Sequence, residues 1–306
     1  MAEGSIFPDL RYSDDMLFSE LRAKSEELLN QHEASPRVYY PFDYADELRG
    51  LMENEGFVPE DSPIRPELKA ALAVNLNTEE GLPYYTATLL RDLPPNHPFR
   101  QWIYTWTAEE GRHALTIANW MQAAKIMDMH QLEDDRMAMM KNPDTPQPES
   151  FIESVIYPSI QEPSTEVSHR NTSRLLPVEH RIGKKALAAV AGDEVKHGIY
   201  YKGLAGEAFI VAPSIAVIGL ARQINGFAMP GKSIPDFAKK SKQIANLNIF
   251  GPAQLKNIYD ELLSDWGVME LENLTPEAET AREFIRKRMR QMDILLARME
   301  RNKATE

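Results

Sequence analysis

Two short stretches carry the residues best suited to chemistry: Trp106-Thr-Ala-Glu-Glu-Gly-Arg-His113 and Gly192-Asp-Glu-Val-Lys-His197. Each ends in acid-Glu-x-x-His. Residues three apart on an α-helix share a face, so Glu110 stands beside His113 and Glu194 beside His197, as paired metal ligands must. The surrounding positions show which way that face points. Phe99, Ile103, Trp106, Glu110, His113, Ile117, Trp120 and Ala124 recur in steps of four and three, and Leu187, Val190, Glu194, His197, Tyr201 and Leu204 alternate similarly. The polar pairs therefore ride on buried stripes, where an uncompensated carboxylate or imidazole is costly.

Each motif also has an upstream carboxylate. Glu79 lies thirty-one residues before Glu110, and Glu162 thirty-two before Glu194. Helix-breaking stretches, Asp92 to Pro98 and Leu176 to His180, fall midway between them. If each half is an antiparallel helical hairpin, its two carboxylates lie at one height, roughly 24 Å from the turn. Two hairpins then gather four Glu and two His at the centre of a four-helix bundle. One Glu from each of two helices plus Glu-x-x-His from each of the other two is the di-iron carboxylate constellation. Hard carboxylates with two imidazoles suit iron or manganese better than zinc. The competing account is a set of ordinary buried ion pairs, and the doubled, evenly spaced arrangement argues against it.

The chain has 306 residues, a net charge of −12 and no cysteine. Interspersed charges of both signs argue against nucleic-acid binding, which needs a basic face. Disulfides, cysteine-held iron–sulfur clusters and thiol nucleophiles are excluded, so electrons for a metal must come from elsewhere. No signal peptide is evident, and the apolar run from Ala208 to Ala221 is interrupted by Pro213 and too short to span a bilayer. A cytoplasmic protein is expected.

Taken in order, the sequence predicts an all-α chain of one domain over 1–306: N-terminal helices within 13–56, a bundle core of about 66–208, and C-terminal helices over 211–303. The first helix starts at Ser13 or Asp14 and runs to about His32. Bundle helices run from Pro66 through Leu89, from Pro98 to Met127, from Ser150 to Arg174 and from Val178 to Gly206. A shorter helix covers 129–140, and Asn142 to Pro148 is a connector. Pro158 and Pro163 fall inside the third bundle helix, so either it bends at the metal or Glu162 begins a helix, the bland alternative being a cap that binds nothing. Further helices are expected over 213–227 and 252–266, with a last one opening at Thr275-Pro276-Glu277. His32, His97, His130 and His180 are assigned to turns or polar faces.

Asn77-Thr-Glu-Glu-Gly-Leu-Pro83, the two Glu-x-x-His motifs, and Gln161-Glu162 with Ser168-His169-Arg-Asn-Thr172 resemble the soluble acyl-acyl-carrier-protein desaturases of the stearoyl type. The likeness extends more faintly into Ala228-Met-Pro230 and the tail from Leu262 to Arg301. It implies a ferritin-like di-iron bundle, usually homodimeric. Such an enzyme uses O2 and electrons from reduced ferredoxin to place a cis double bond in an acyl chain on acyl carrier protein. It also implies that Glu79, Glu110, His113, Glu162, Glu194 and His197 hold two Fe ions. Thr165 would stand near bound oxygen, and Trp106, Glu109, Asp193 and His169 would orient the ligands. Several departures stand out: Pro163-Ser164 in place of Arg-Ala, Val195-Lys196 in place of Lys-Arg, and Tyr39 in place of a tryptophan over the iron. Glu166 adds a carboxylate that either alters the metal face or pairs with Arg170. These keep two alternatives in view, a di-iron hydroxylase of a carrier-bound or small substrate and a carrier-binding relative without turnover. A ferritin-like storage protein would leave the tail from Pro213 unexplained. The carrier would meet a basic cluster at Arg282, Arg286, Lys287, Arg288 and Arg290, with Lys239, Lys240 and Lys242. Acyl length and double-bond position are not legible.

Overall fold

Prolines and left-handed residues decide where the helices begin and end. The computed structural model describes residues 7–141, 148–229 and 231–303. The described residues form α1 (Asp14–Glu20), α2 (Arg22–Ala34), α3 (Asp43–Glu55), α4 (Pro66–Glu79), α5 (Leu82–Leu90), α6 (Pro98–Ala123), α7 (Met129–Lys141), α8 (Phe151–Leu175), α9 (Arg181–Val211), α10 (Pro213–Gly226), α11 (Phe237–Asn246), α12 (Pro252–Asp265) and α13 (Pro276–Lys303), with no strand among them. Most of the expected connector, residues 142–147, and Pro230 of the resemblance lie outside the described residues.

The bundle consists of α4, α6, α8 and α9. Helix α8 packs along α9, α6 meets α9, and α4 closes the ring against α6 and α8. The predicted stripes are buried: Phe99, Ile103, Trp106, Ile117 and Trp120 on α6, and Leu187, Val190, Tyr201 and Leu204 on α9. Around this core, α2 and α3 cover α6 and α9, α10 lies on α8 and α9, α11 packs on α4, and α12 and α13 extend the far side. No described helix is long and apolar enough to cross a membrane.

Helix α8 resolves the proline question. It is helical from Phe151 to Leu175 straight through Pro158 and Pro163, so Glu162 is neither a helix start nor a cap. Each proline removes one N–H, at a cost of about 3 kcal/mol. Hydroxyls nearby add hydrogen bonds to the helix: Ser159 and Ser164 donate to the carbonyls of Val155 and Ile160, and Thr165 to those of Gln161 and Glu162. Burial of nearly every side chain from Phe151 to Thr165 outweighs what remains.

Three boundaries and one element differ from expectation. The first helix breaks at Leu21, and the first bundle helix breaks at Glu80-Gly81 with Pro83 in the opening turn of α5. Helix α6 stops at Ala123 rather than Met127, because Lys125 turns left-handed (φ 50°) and Ile126 N–H closes onto the Met121 carbonyl. Helix α11 was not anticipated. Asp14 does not cap its own helix either; its carboxylate accepts from Phe151 N–H and so caps α8.

Candidate metal centre

All six predicted ligands converge. Glu79, Glu110, His113 and Glu194 offer donor atoms within 4.8 Å of one another, and so do Glu110, Glu162, Glu194 and His197. The two groups share Glu110 and Glu194 and each adds one His and one further Glu, a donor set that would hold two cations. Every one of the six is buried, and the two imidazoles lie 5.5 Å apart by ring centroid. The atoms aimed inward are the ones left over: Glu110 Oε1, both Glu194 oxygens, and Nδ1 of His113 and His197 lack hydrogen-bond partners. Buried polar atoms are rarely orphaned. Five in one spot, all oxygen or imidazole nitrogen, fit a pair of hard divalent cations.

Titration behaviour reflects the crowding. Burial would push the His113 and His197 imidazoles down, but the carboxylates facing them, Glu110 and Glu194 about His113 and Glu109 and Glu110 about His197, lift both well above the usual value. Burial, helped by the Glu110 charge, raises Glu194 well above the carboxylate range, and burial also raises Glu162. Glu110 runs the other way: its burial is outweighed by the two imidazoles, which hold it well below its usual value.

The outer nitrogens are held by acids that cross between motifs. Asp193, which precedes Glu194, lies 3.3 Å from His113 Nε2, whereas Glu109, which precedes Glu110, accepts from His197 Nε2 at 2.9 Å. A residue one before a ligand points about 100° round the helix, toward the neighbouring helix's histidine. Asp193 is clamped by Arg112 at 2.7 Å and Arg37 at 3.3 Å. Gly192 makes room for Arg37, whose guanidinium carbon would lie 2.3 Å from a Cβ there. Trp106 Nε1 donates to Glu162 Oε1 at 3.1 Å, and His169 Nε2 meets Glu79 Oε1 at 2.9 Å. Tyr39 lies under the Arg112 guanidinium, 4.5 Å from its ring centroid.

One participant was missed. His32, assigned to a turn or polar face, is buried with its Nε2 3.0 Å from Glu109 Oε2. Its signal was the stripe Ser25, Leu28, Leu29, His32, which is buried and marks the inner face of α2. His97 and His180 are likewise buried, donating to the carbonyls of Phe18 and Ser62. Glu166 pairs with Arg170 and lines a second cavity, which also reaches Glu194, but it is not among the clustered donors.

A cavity of about 540 Å³ runs from Lys232 and Arg288 to Thr165 and His169 beside the cluster, walled by Ile224, Phe227, Phe237, Phe250 and Leu255. A separate, much smaller space of about 10 Å³ lies between Thr78, Glu110, Gln161 and Thr165. The predicted basic cluster is only partly available. Arg282 is largely buried, donating to the Met269 and Leu271 carbonyls and pairing with Glu279. Arg286 and Arg290 share Glu283, and Lys240 meets Asp135.

Residues 16–306 match the family model described as fatty acid desaturase. The chain belongs to the fatty acid desaturase family. It is 26% identical over 306 residues to the acyl-acyl-carrier-protein desaturase homologue DesA1 of Mycobacterium tuberculosis H37Rv, spanning 96% of this chain and 90% of that protein. It is 27% identical over 298 residues to stearoyl-acyl-carrier-protein 9-desaturase 5 of Arabidopsis thaliana, covering 88% and 73%. The crystal structure of DesA2 from the same mycobacterium superposes with a TM-score of 0.63 at 19% identity, over 87% of this chain and 99% of that one. Family membership and the ferritin-like all-α fold expected from the motifs are thus borne out, and with them the enzyme class.

Proposed function

We propose that the protein is an O2-dependent desaturase that introduces a cis double bond into an acyl chain carried on acyl carrier protein, with two iron ions at the six-residue cluster and electrons from reduced ferredoxin. The observation that carries this is the meeting of two structures: the paired donor sets sharing Glu110 and Glu194, and the apolar cavity ending beside them at Thr165 and His169. A cavity of that size lies within the range of small-molecule sites. Its mouth has Lys232 and Arg288, cations suited to an acidic carrier.

Bound iron supplies the oxidising power that no side chain has for an unactivated methylene. The chain's own residues do the rest. Ile224, Phe227 and Phe250 line a dry slot that holds the acyl chain against the cluster. Thr165 lines both this cavity and the small space beside Glu110, and its Oγ1 donates to the Glu162 carbonyl at 2.9 Å, leaving its lone pairs as acceptors there. Asp193 and Glu109 hold the outer nitrogens so that Nδ1 of each histidine faces inward. The reaction balances when two hydrogens from the chain, two electrons from the donor and two protons from water reduce one O2 to two waters. The reading includes a homodimer, for which exposed Val195, Ile199 and Ile210 on α9 provide an apolar face.

The test is anaerobic iron loading, then incubation with acyl carrier thioesters, reduced ferredoxin and O2, with products read by mass spectrometry. Loss of two hydrogens supports the desaturase. Gain of one oxygen atom replaces it with a hydroxylase, and a protein that takes up no iron is a non-catalytic relative. Charge reversal at Arg288, Lys287 and Lys232 without loss of carrier binding would retire the docking surface.

A further inference from the structure

Helix α2 stands outside the bundle, yet it delivers a side chain to the metal centre. It is seated tightly: Ser25 Oγ lies 2.7 Å from Tyr200 Oη, and Leu28 fills the space opposite Gly203, where a Cβ would come within 3.1 Å of Leu28 Cδ2. One turn further on, the His32 ring stands edge-on to Trp102, with centroids 5.0 Å apart, and its Nε2 is 3.0 Å from Glu109 Oε2. The same oxygen is 2.9 Å from His197 Nε2. Two imidazoles thus converge on one carboxylate oxygen, while Arg112 Nη2 stands 3.5 Å from the other oxygen.

We propose that His32 is a positioning residue for the metal-binding His197. It acts by fixing Glu109, which in turn holds the His197 Nε2–H and keeps Nδ1 turned toward Glu110, Glu162 and Glu194. The inference rests on the metal-centre reading above. Glu109 needs such a fixture because it is the more solvent-accessible of the two acids, its side chain 19% exposed against 2% for Asp193. A carboxylate with access to water and to Arg112 has other places to go, and a bond from a packed, buried imidazole removes that freedom. Outer partners of metal-binding histidines fix the tautomer and raise basicity in this way. Seating of α2 and metal capture at the His197 position are therefore coupled directly, whereas Asp193, behind His113, is held by Arg37 and Arg112 without His32.

The experiment is a titration of the full-length metal-free protein with iron(II) against a competing chelator. It compares wild type, His32→Ala, His32→Gln and His32→Phe, with thermal unfolding of each metal-free form alongside. Wild type should bind two ions. His32→Ala should weaken one of them by about tenfold or more and the other by much less. His32→Gln, whose amide N–H reaches the same oxygen, should recover most of the loss. His32→Phe keeps the contact with Trp102 but cannot donate, so it should behave as His32→Ala and serves in its place should the alanine variant not fold. Equal affinities in wild type and His32→Phe, or a glutamine variant as weak as alanine, overturn the positioning role and leave the metal centre standing. A wild-type chain that takes up no iron overturns the metal-centre reading, and the role of His32 with it.

Discussion

The two halves of the cluster read as copies in sequence and differ in how they are held. His113 is backed by Asp193, a nearly inaccessible acid clamped by two guanidinium groups. His197 is backed by Glu109, a longer and more exposed acid held by an imidazole and, at 3.5 Å, by Arg112. The inner ligands follow from the repeat, since Glu-x-x-His on a helix admits one arrangement. The outer clamp follows from whichever neighbouring element reaches the acid. On one side that is Arg37, in the segment between α2 and α3; on the other it is His32, in α2 itself. One half is thus built on permanent charge and the other on a directional hydrogen bond.

The bluntest way to break this comparison is to remove what both halves share. Glu194→Ala deletes an oxygen donor from each four-residue set, so bound metal should fall from two equivalents to none, with complete loss of turnover. Glu79→Ala and Glu162→Ala each touch one set only and should retain one equivalent. Metal analysis after gel filtration reads the difference. Retention of both ions in Glu194→Ala would show that the carboxylate does not bridge.

Next in size is the contrast between the backing acids. Asp193→Asn and Glu109→Gln should each cost about 10–100-fold in affinity for one metal ion. They should part in the stability of the metal-free fold. Asp193→Asn strips two arginines of a buried partner and should lower unfolding free energy by about 2 kcal/mol, whereas Glu109→Gln should cost about half as much. Urea unfolding measures both, and equal losses would mean that the Arg and His clamps are energetically the same.

A pH series sharpens the picture for both halves together. In the metal-free protein, His113 and His197 have pKa values raised well above 6.5, so the folded state keeps protons that the unfolded chain sheds. That stabilisation is complete below the unfolded value and is lost as pH climbs through the folded values; the raised Glu194 carboxyl adds the same sign from lower pH. On the acid side, Glu110 and Asp193 are lowered, and their contribution disappears as pH falls through their folded values. Metal must displace the imidazole protons, so each one released adds about 1.4 kcal/mol of metal stabilisation per pH unit over the window in which it is held. The gap in Tm between loaded and metal-free protein should therefore widen as pH rises and level off above the folded values of the two imidazoles. A gap that is flat with pH would mean the imidazoles are already neutral.

The sequence made the inner ring legible because its signal is local: two repeats, two equal spacings and an apolar stripe. Its outer ring is non-local. That Asp193 serves His113 and Glu109 serves His197 depends on how α6 and α9 face each other, and a histidine on α2 enters only through tertiary packing. The prolines of α8 misled for the complementary reason. Local propensity charges them about 3 kcal/mol each, while nearly every side chain from Phe151 to Thr165 is buried by neighbours distant in sequence. Boundaries such as Lys125 and the separate helix α11 turned on single backbone conformations and on packing against α4, neither of which has a periodic signature.

The smallest effect belongs to the residue that most disturbed the motif. Glu166 sits one turn beyond Glu162, where a fifth carboxylate on the metal face would alter both halves at once. It pairs instead with Arg170 along α8 and belongs to neither donor set. Its partner is about half exposed, so the pair is worth about 0.5 kcal/mol. Glu166→Gln should accordingly leave two metal equivalents bound at unchanged affinity and move stability by no more than that amount. A change in affinity at one or both positions would place Glu166 in the electrostatic field of the cluster and make Pro163 to Glu166, rather than the outer clamps, the feature that distinguishes this chain from the desaturases it resembles.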